Sequence, residues 1–474
     1  MLWNAPPFEI LSMIFNYLTL PFPVQVDNPN NTRADYTESE VAFKKRFLPL
    51  TLVCRHWHAA AYPYLNRILS IRFRPDDLTA ETETETGIVR PWPLSSVLRR
   101  LDERPFLPAS VRRLRLIMSD KPEEKDDDDS PESPEESVSS GCDPTLLHAL
   151  LVRFSNVRAI ELVNLGFDRA QLAAYASTGT TAHIAPINLD ALLLTHTEHQ
   201  PLTVYTEHQP LAVDTVQLCI AWFGSVSSLV VRSNVAVKLT SGGAVLQRLP
   251  ARLPARLAAR TLTVDAPAHN SVGWRLHHSP TFGDQGTLRA LHVRFAATSS
   301  DFIDHFVQPG ENIVEELHLD FTVWLTVYRE IMVRALITGR PLPTTLNTEP
   351  RMDLGALPRL RELTVRFTLA YDGWTIVPRI INTLLLRPQS GKDGHPPPPL
   401  RHVTLAPQVD GKIDDSELGF ARMSAMLAGV PTLERCTLDL REVDDASERL
   451  EQHKAWFNEQ MSELHAKGIL HFVV

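Results

Sequence analysis

The sequence predicts an α/β fold in which a small helical N-terminal region precedes a long array of alternating strands and helices. Three observations support this prediction. An apolar stripe with helical spacing opens the chain, short apolar–x–apolar runs recur along the rest, and segments with helical spacing separate several of these runs. The 474 residues are enough for several domains or for one extended array of repeats.

The first helical segment is "PPFEILSMIFNYL". Leu11, Ile14, Phe15 and Leu18 follow the spacing i, i+3, i+4, i+7, which places them on one apolar stripe of a helix. Prolines precede and follow this segment, where they are expected to bound the helix. The stripe therefore predicts a short amphipathic helix at the start of the chain.

The second helical segment is "LPLTLVCRHWHAAAYPYL", in which Leu50, Val53 and Trp57 are predicted to share a face. Pro63 is expected to end this helix. Between the two segments, an insert at about residues 19–47 has no helical pattern. Two helices of this size cannot bury all of their apolar side chains, so the segments predict a protein partner.

The two segments together resemble an F-box. The first half of the pattern is matched by Pro7, Glu9, Ile10, Leu11, Ile14, Phe15 and Leu18, and the second by Leu52, Val53, Cys54, Arg55, Trp57, Ala60, Pro63 and Leu65. The sequence departs from the family at Pro6, where Leu is usual, and in the insert, which is longer than the family's short loop.

This resemblance implies a Skp-family adaptor as partner and, through the adaptor, a cullin of a ubiquitin ligase. The implied adaptor-binding residues are Pro7, Ile10, Leu11, Ile14, Phe15, Leu18, Leu52, Val53 and Trp57. Trp57 is also expected to hold the small helical domain together. The alternative is that the helices only cap the domain that follows them.

Eleven copies of a short motif follow, in most of which an arginine or glutamate near the start precedes an apolar–x–apolar run. The apolar pairs are Leu114/Leu116, Ile160/Leu162, Leu192/Leu194, Leu229/Val231, Leu262/Val264, Leu291/Val293, Leu317/Leu319, Leu363/Val365, Val403/Leu405, Cys436/Leu438 and Leu470/Phe472. Such alternation predicts strands with one buried face. The intervals between copies range from 26 to 46 residues.

A strand followed by a helix at this period resembles a degenerate leucine-rich repeat. The array is similar to that of F-box proteins with divergent leucine-rich repeats of the fungal type. The resemblance implies a helical F-box at 1–70 and an irregular solenoid with a parallel sheet at 71–474. A βαβ sandwich of another type is the alternative.

The concave strand face of such a solenoid would bind an unknown protein target. Candidate target-binding residues at alternate strand positions are Arg115, Glu161, His292, Arg294, His318, Arg366 and Asp439. Ordinary solvated strand positions are the alternative interpretation of these residues.

An acidic tract from Ser119 to Ser137 contains ten acids and two lysines, and it carries most of the chain's net charge of −9. The rest of the chain is close to neutral, which argues against nucleic acid as a partner. The composition predicts a disordered loop at about 119–140 whose serines an acid-directed kinase could phosphorylate.

The compartment is predicted from cysteines and hydropathy. The four cysteines are far apart and form no CxxC pair, which favours a reducing compartment, cytoplasmic and/or nuclear. No run of about 18 apolar residues exists, so we expect no membrane span. Glu9 and the lack of a basic leader argue against a signal peptide.

Catalytic and metal-binding motifs are not found in the sequence. It contains no GxxxxGK[ST], GxGxxG, HExxH or GxSxG pattern. His196, His199 and His208 follow a local duplication rather than the spacing of metal ligands. We therefore expect a protein without cofactor, metal or catalytic residues. An interaction scaffold that does not engage the ligase and an enzyme on an unrecognised α/β fold are the alternatives.

Overall fold

The computed structural model describes residues 10–11, 13, 15, 44–45, 48–74, 91–118, 142–167, 174–175, 187–196, 222–233, 258–266, 288–295, 314–322, 357, 359–368, 381, 399–408, 419–441 and 447–474. These residues form an α/β fold with one open, parallel sheet of thirteen strands. The strands are arranged in the order β13-β12-β11-β10-β9-β8-β7-β6-β5-β4-β3-β1-β2.

The strands are β1 (Ile68–Arg74), β2 (Trp92–Pro93), β3 (Arg113–Met118), β4 (Ala159–Val163), β5 (Ile187–His196), β6 (Phe223–Ser233), β7 (Ala258–Ala266), β8 (Ala290–Phe295), β9 (Glu316–Asp320), β10 (Glu362–Thr368), β11 (His402–Gln408), β12 (Arg435–Asp439) and β13 (Leu470–Val473). The helices are α1 (Arg55–Leu65), α2 (Leu94–Asp102), α3 (Phe106–Ser110), α4 (Pro144–Arg153), α5 (Phe420–Ala428), α6 (Ser447–Gln460) and α7 (Ser462–Ala466).

Every one of the eleven apolar–x–apolar runs lies on a strand, from β3 to β13. The prediction of an α/β fold with a parallel sheet is therefore confirmed. Strands β1 and β2 were not predicted, because the sequence of β1 lies next to the N-terminal helical segment. Leu69, Ile71 and Phe73 alternate along β1 and are the signal that could have identified it.

The charged residues that precede the apolar runs lie where each strand begins. The carbonyl of Arg112 accepts hydrogen bonds from the amides of Arg158 and Ala159, and the carbonyl of Arg361 accepts from those of Arg401 and His402. Because this register repeats, charged side chains at the same position face each other on neighbouring strands. Arg289 and Glu315 illustrate the result, with Nη1 and Oε1 2.6 Å apart.

The chain divides into two compact units. The first unit contains Met1–Thr197, Asp214–Val230 and Gly243–Ala255, and the second contains Glu198–Val213, Val231–Gly242 and Arg256–Val474. The helical N-terminal region and strands β1–β5 thus belong to one unit. The predicted boundary at residue 70 stays a prediction.

Strands in the middle of the first unit are buried on both faces. Every residue of β4 is buried, as is typical of a parallel strand that is covered on both sides. On the face that carries Glu161, an apolar cluster consists of Ala159, Ala191, Leu193 and Val230. Glu161 is therefore enclosed.

Strand β11 of the second unit is buried on one face only. In β11, Val403, Leu405 and Pro407 are buried, whereas the residues between them are at least partly exposed. Phe420 of α5 contacts Phe367 of β10 with ring centroids 6.4 Å apart, so a helix packs on the apolar face. The polar face of β8 to β12 is consequently accessible only in part, since His318 and Thr404 are partly exposed whereas Asp320 and Arg366 are buried.

Helices α4 and α5 lie in two of the segments with helical spacing that separate the apolar–x–apolar runs. Asp143 caps α4, because its side chain accepts a hydrogen bond of 2.7 Å from the amide of Thr145, and Pro144 occupies the first helical position. The prediction that Pro63 ends a helix is wrong, since α1 continues to Leu65. Pro63 and Ala59 are both exposed, so water can satisfy the carbonyl that the proline leaves without its helical partner.

Several predicted features lie outside the described residues. They are Pro7, Ile14, Leu18, most of the insert at 19–47, the acidic loop at 119–140, and the duplicated segment with His199 and His208.

Candidate interaction surfaces

A small apolar core joins the first helical segment to α1. Leu11 and Phe15 are completely buried against Ala60, Ala61 and Tyr64. The ring of Phe15 meets Trp57 edge to face at 5.8 Å and Tyr64 at 5.4 Å between centroids. The two segments therefore form one helical cluster despite the insert between them.

This core revises the role of three predicted adaptor-binding residues. Leu11 and Phe15 point into the cluster, and the partly buried Trp57 packs against it. These side chains hold the helices together rather than forming an open surface. Of the other predicted residues, Ile10, Leu52 and Val53 are exposed.

Five large apolar side chains of the helical cluster are exposed to solvent, and we call them the helical apolar surface. Their exposed fractions are 47% for Ile10, 70% for Met13, 55% for Leu48, 79% for Leu52 and 59% for Val53. Met13 and Leu48 were missed because they lie off the predicted apolar stripe. Exposed apolar side chains mark a protein-binding site where they form one contiguous patch.

A break between two helical turns exposes Leu52 and Val53. Thr51 Oγ1 donates to the carbonyl of Leu48 at 2.7 Å, and the amide of Leu52 donates to the carbonyl of Pro49 at 3.1 Å. The chain then becomes extended at Cys54, and α1 begins at Arg55. The predicted shared face of Leu50, Val53 and Trp57 is wrong, because this break separates them.

The accessible strand face of the second unit carries two rows of side chains. The central row consists of His292, His318, Thr364, Thr404 and Thr437, and the outer row consists of Arg294, Asp320, Arg366, Ala406 and Asp439. Parallel register places each row across strands β8 to β12. The central row is partly exposed throughout.

The two histidines of the central row stack on each other. Their ring centroids are 5.2 Å apart with an angle of 28° between the planes. The pKa of His318 is lowered to about 4, chiefly by burial and also by the charges of His292 and Arg366, whereas Asp320 opposes the shift. His318 is therefore neutral near pH 7.

Opposite charges alternate along the outer row. Arg294 Nε lies 3.9 Å from Asp320 Oδ2, and Asp320 Oδ1 accepts hydrogen bonds from the amide and the hydroxyl of Thr322 at 2.9 and 2.6 Å. Asp439 accepts two hydrogen bonds from the guanidinium and one from the amide of Arg441, and these bonds lower the pKa of its carboxyl group. Arg366 is itself largely buried, and burial lowers its pKa.

Arg115 and Glu161, two further predicted target-binding residues, are buried in the first unit. Arg115 Nε lies 3.2 Å from Glu161 Oε2, and each side chain is only 8% exposed. Burial also lowers the pKa of the neighbouring Arg113 to about 10, although Glu161 opposes this shift. This pair therefore belongs to the interior of its unit, and the open polar face is that of the second unit.

The described residues contain no group of three or more His, Cys, Asp or Glu side chains that could hold a metal ion. In the same part of the chain, no helix is both long enough and apolar enough to cross a membrane.

No protein-family model matches the sequence, and neither does any curated protein.

Proposed function

We propose that this protein is the substrate-recognition subunit of a Skp–cullin–F-box ubiquitin ligase, acting in the cytoplasm and/or nucleus. The observation that carries the proposal is the helical apolar surface, formed by Ile10, Met13, Leu48, Leu52 and Val53. It lies on the segments whose sequence resembles an F-box.

Contact with a partner would stabilise these side chains by removing them from water. Burying one exposed Leu, Ile or Met side chain completely is worth about 1.5–3 kcal/mol. Leu52 is the most exposed of the five and lies at the helix break, so it is the central contact of the proposed adaptor interface. A Skp-family adaptor would cover this surface and connect the protein to a cullin.

The parallel strands of the second unit would form the target-binding part. Their repeated register supports a leucine-rich-repeat-like solenoid, in which each strand is one repeat. The accessible face of β8 to β12 carries histidine, threonine, arginine and aspartate side chains suited to a polar protein surface. The five remaining predicted target-binding residues lie on this face, and they are His292, Arg294, His318, Asp439 and the buried Arg366.

The protein would act by proximity rather than by chemistry of its own. By holding a target near the charged ligase, a receptor raises the effective concentration of the two reactants. No side chain of this chain takes part in ubiquitin transfer in this proposal.

Capture of a purified Skp-family adaptor by the purified full-length chain tests the proposal. Saturable binding that requires the helical apolar surface is the expected result. The long insert at 19–47 is the reason to consider a scaffold that does not engage the ligase, and absence of adaptor binding would favour that alternative.

A further inference from the structure

Four polar side-chain atoms on neighbouring strands of the second unit are buried and have no hydrogen-bond partner among the residues that the structure describes. They are Thr263 Oγ1, Arg294 Nε, His318 Nε2 and Asp320 Oδ2, which we call the polar cluster. Thr263 lies beside His292 in the register of β7 and β8, His292 beside His318, and Arg294 beside Asp320. The four residues thus occupy one area of the strand face.

Asp320 makes this cluster unusual. Asp320 is 1% exposed, and its Oδ1 accepts two hydrogen bonds from Thr322. Oδ2, in contrast, faces Arg294 Nε at 3.9 Å, which is too far for a hydrogen bond. A buried carboxylate oxygen and a buried guanidinium N–H that lack a hydrogen bond are costly, so a complementary group is expected to complete the site.

The charges around the cluster select the chemistry of that group. A carboxylate would be repelled by Asp320, and an ammonium group would be repelled by Arg294 and Arg366. A primary amide is uncharged and carries both a donor and an acceptor. Its NH₂ group can donate to Asp320 Oδ2 while its oxygen accepts from Arg294 Nε–H.

We propose that the polar cluster binds the side-chain amide of an Asn or Gln residue in an extended segment of the target protein. This inference rests on the proposed function, in which the strand face binds the target. The side chain of Arg294 is 29% exposed, and its movement toward solvent would admit the amide to Asp320. Thr364 and Thr404 continue the central row as neutral, partly exposed hydroxyls beside the site.

Selection of random 12-residue peptides against the purified full-length protein tests this assignment. We expect the selected peptides to share an Asn or Gln at one position. Replacing that amide by Glu or Lys in a synthetic peptide should weaken binding at least tenfold, as measured by fluorescence polarisation.

Variants of the protein separate recognition from general structure. Asp320→Asn removes the negative charge, so the peptide with Glu in place of Gln should gain affinity for this variant relative to the wild type. Asp439→Asn is the matched control, because Asp439 lies in the same row but is already bonded to Arg441, and it should not alter the preference. If Asp320→Asn fails to fold by circular dichroism, Arg294→Gln provides the second variant and should weaken the amide peptide.

The assignment would be overturned if the selected peptides shared no amide or if no peptide were enriched. It would also be overturned if the folded variant kept the same preference for Gln over Glu. Adaptor capture is measured on the same preparation. Adaptor binding without an amide preference would contradict the amide site and leave the ligase proposal intact. An amide preference without adaptor binding would support the amide site and contradict the ligase proposal.

Discussion

Phe15 and Trp57 meet edge to face, with their ring centroids 5.8 Å apart. This contact links a helical segment near the start of the chain to α1, across an insert at about 19–47. A pair of aromatic side chains contributes both buried area and a favourable ring geometry. The contact explains how two short helical segments separated by a long insert can form one cluster.

Phe15→Ala should therefore destabilise the helical cluster. Phe15 is completely buried, and removal of a buried Phe side chain costs about 3–5 kcal/mol. The sequence alone suggested Trp57 for this role, but Trp57 is partly exposed and its replacement by Ala should cost less. Hydrogen exchange of the α1 amides measures the effect, and Met13→Ala, which alters a 70% exposed side chain, is the control. Unchanged protection of α1 in the Phe15 variant would contradict the role of this core.

Glu161→Gln should strongly destabilise the first unit. The substitution leaves Arg115 and the neighbouring Arg113 without their buried anion, and breaking a buried ion pair costs about 3–5 kcal/mol. The double variant Arg115→Met/Glu161→Leu should recover most of this loss, because it removes both charges. Urea unfolding measures the free energies. Asp190→Asn, which removes an exposed partner of Arg158, is the control and should have no measurable effect.

Acid should destabilise the second unit through His318. Its pKa is lowered to about 4 in the folded protein, below its ordinary value of 6.5, so the unfolded chain binds the proton more readily. The contribution of this histidine to stability is complete above pH 6.5 and is lost as the pH falls toward 4. At pH 5 the loss of unfolding free energy is about 2 kcal/mol. Hydrogen exchange of β9 between pH 7.5 and 5, corrected for intrinsic rates, measures this loss.

His318→Gln should flatten this pH dependence. His471→Gln is the matched control, since His471 occupies the same row on β13 but is exposed. Equal pH dependence of the wild type and the His318 variant would show that another group is responsible.

Thiol labelling should distinguish Cys54 from the buried cysteines. Cys54 is exposed beside Leu52 and Val53, whereas burial raises the pKa of Cys436 to about 12 and keeps its thiol protonated. In a Cys219→Ser background, an aromatic disulfide reagent should modify Cys54 rapidly and leave Cys142 and Cys436 intact. Bound adaptor should slow the modification of Cys54, and equal rates with and without adaptor would place the interface elsewhere.

The face on which each strand side chain lies could be predicted from the sequence because its cause is local. Alternation between apolar and polar residues assigns each side chain to a face, and Leu317 and Leu319 of β9 show this pattern with Leu363 and Val365 of β10 beside them. Burial of the polar face, in contrast, depends on contacts with segments that are distant in the sequence. Glu161 has the same pattern position as His318, yet Glu161 is enclosed and His318 lies on an accessible face.

The candidate adaptor surface could be predicted only in part for a similar reason. Periodicity places Leu11 and Phe15 on an apolar stripe but cannot show that they pack against Tyr64 rather than against a partner. The helix break at Leu52 depends on hydrogen bonds from Thr51 and Leu52 to earlier carbonyls, and it exposes the residues that follow. Exposure of Met13 and Leu48 likewise follows from packing, not from composition.

Adaptor capture by matched surface variants tests the central claim most directly. Purified wild-type protein should retain a purified Skp-family adaptor, and Leu52→Asp should abolish retention without loss of helical circular dichroism. Val152→Asp is the control, because it places the same charge on another exposed apolar position, on α4, and should bind like the wild type. Equal retention by both variants, or no retention by the wild type, would contradict the account.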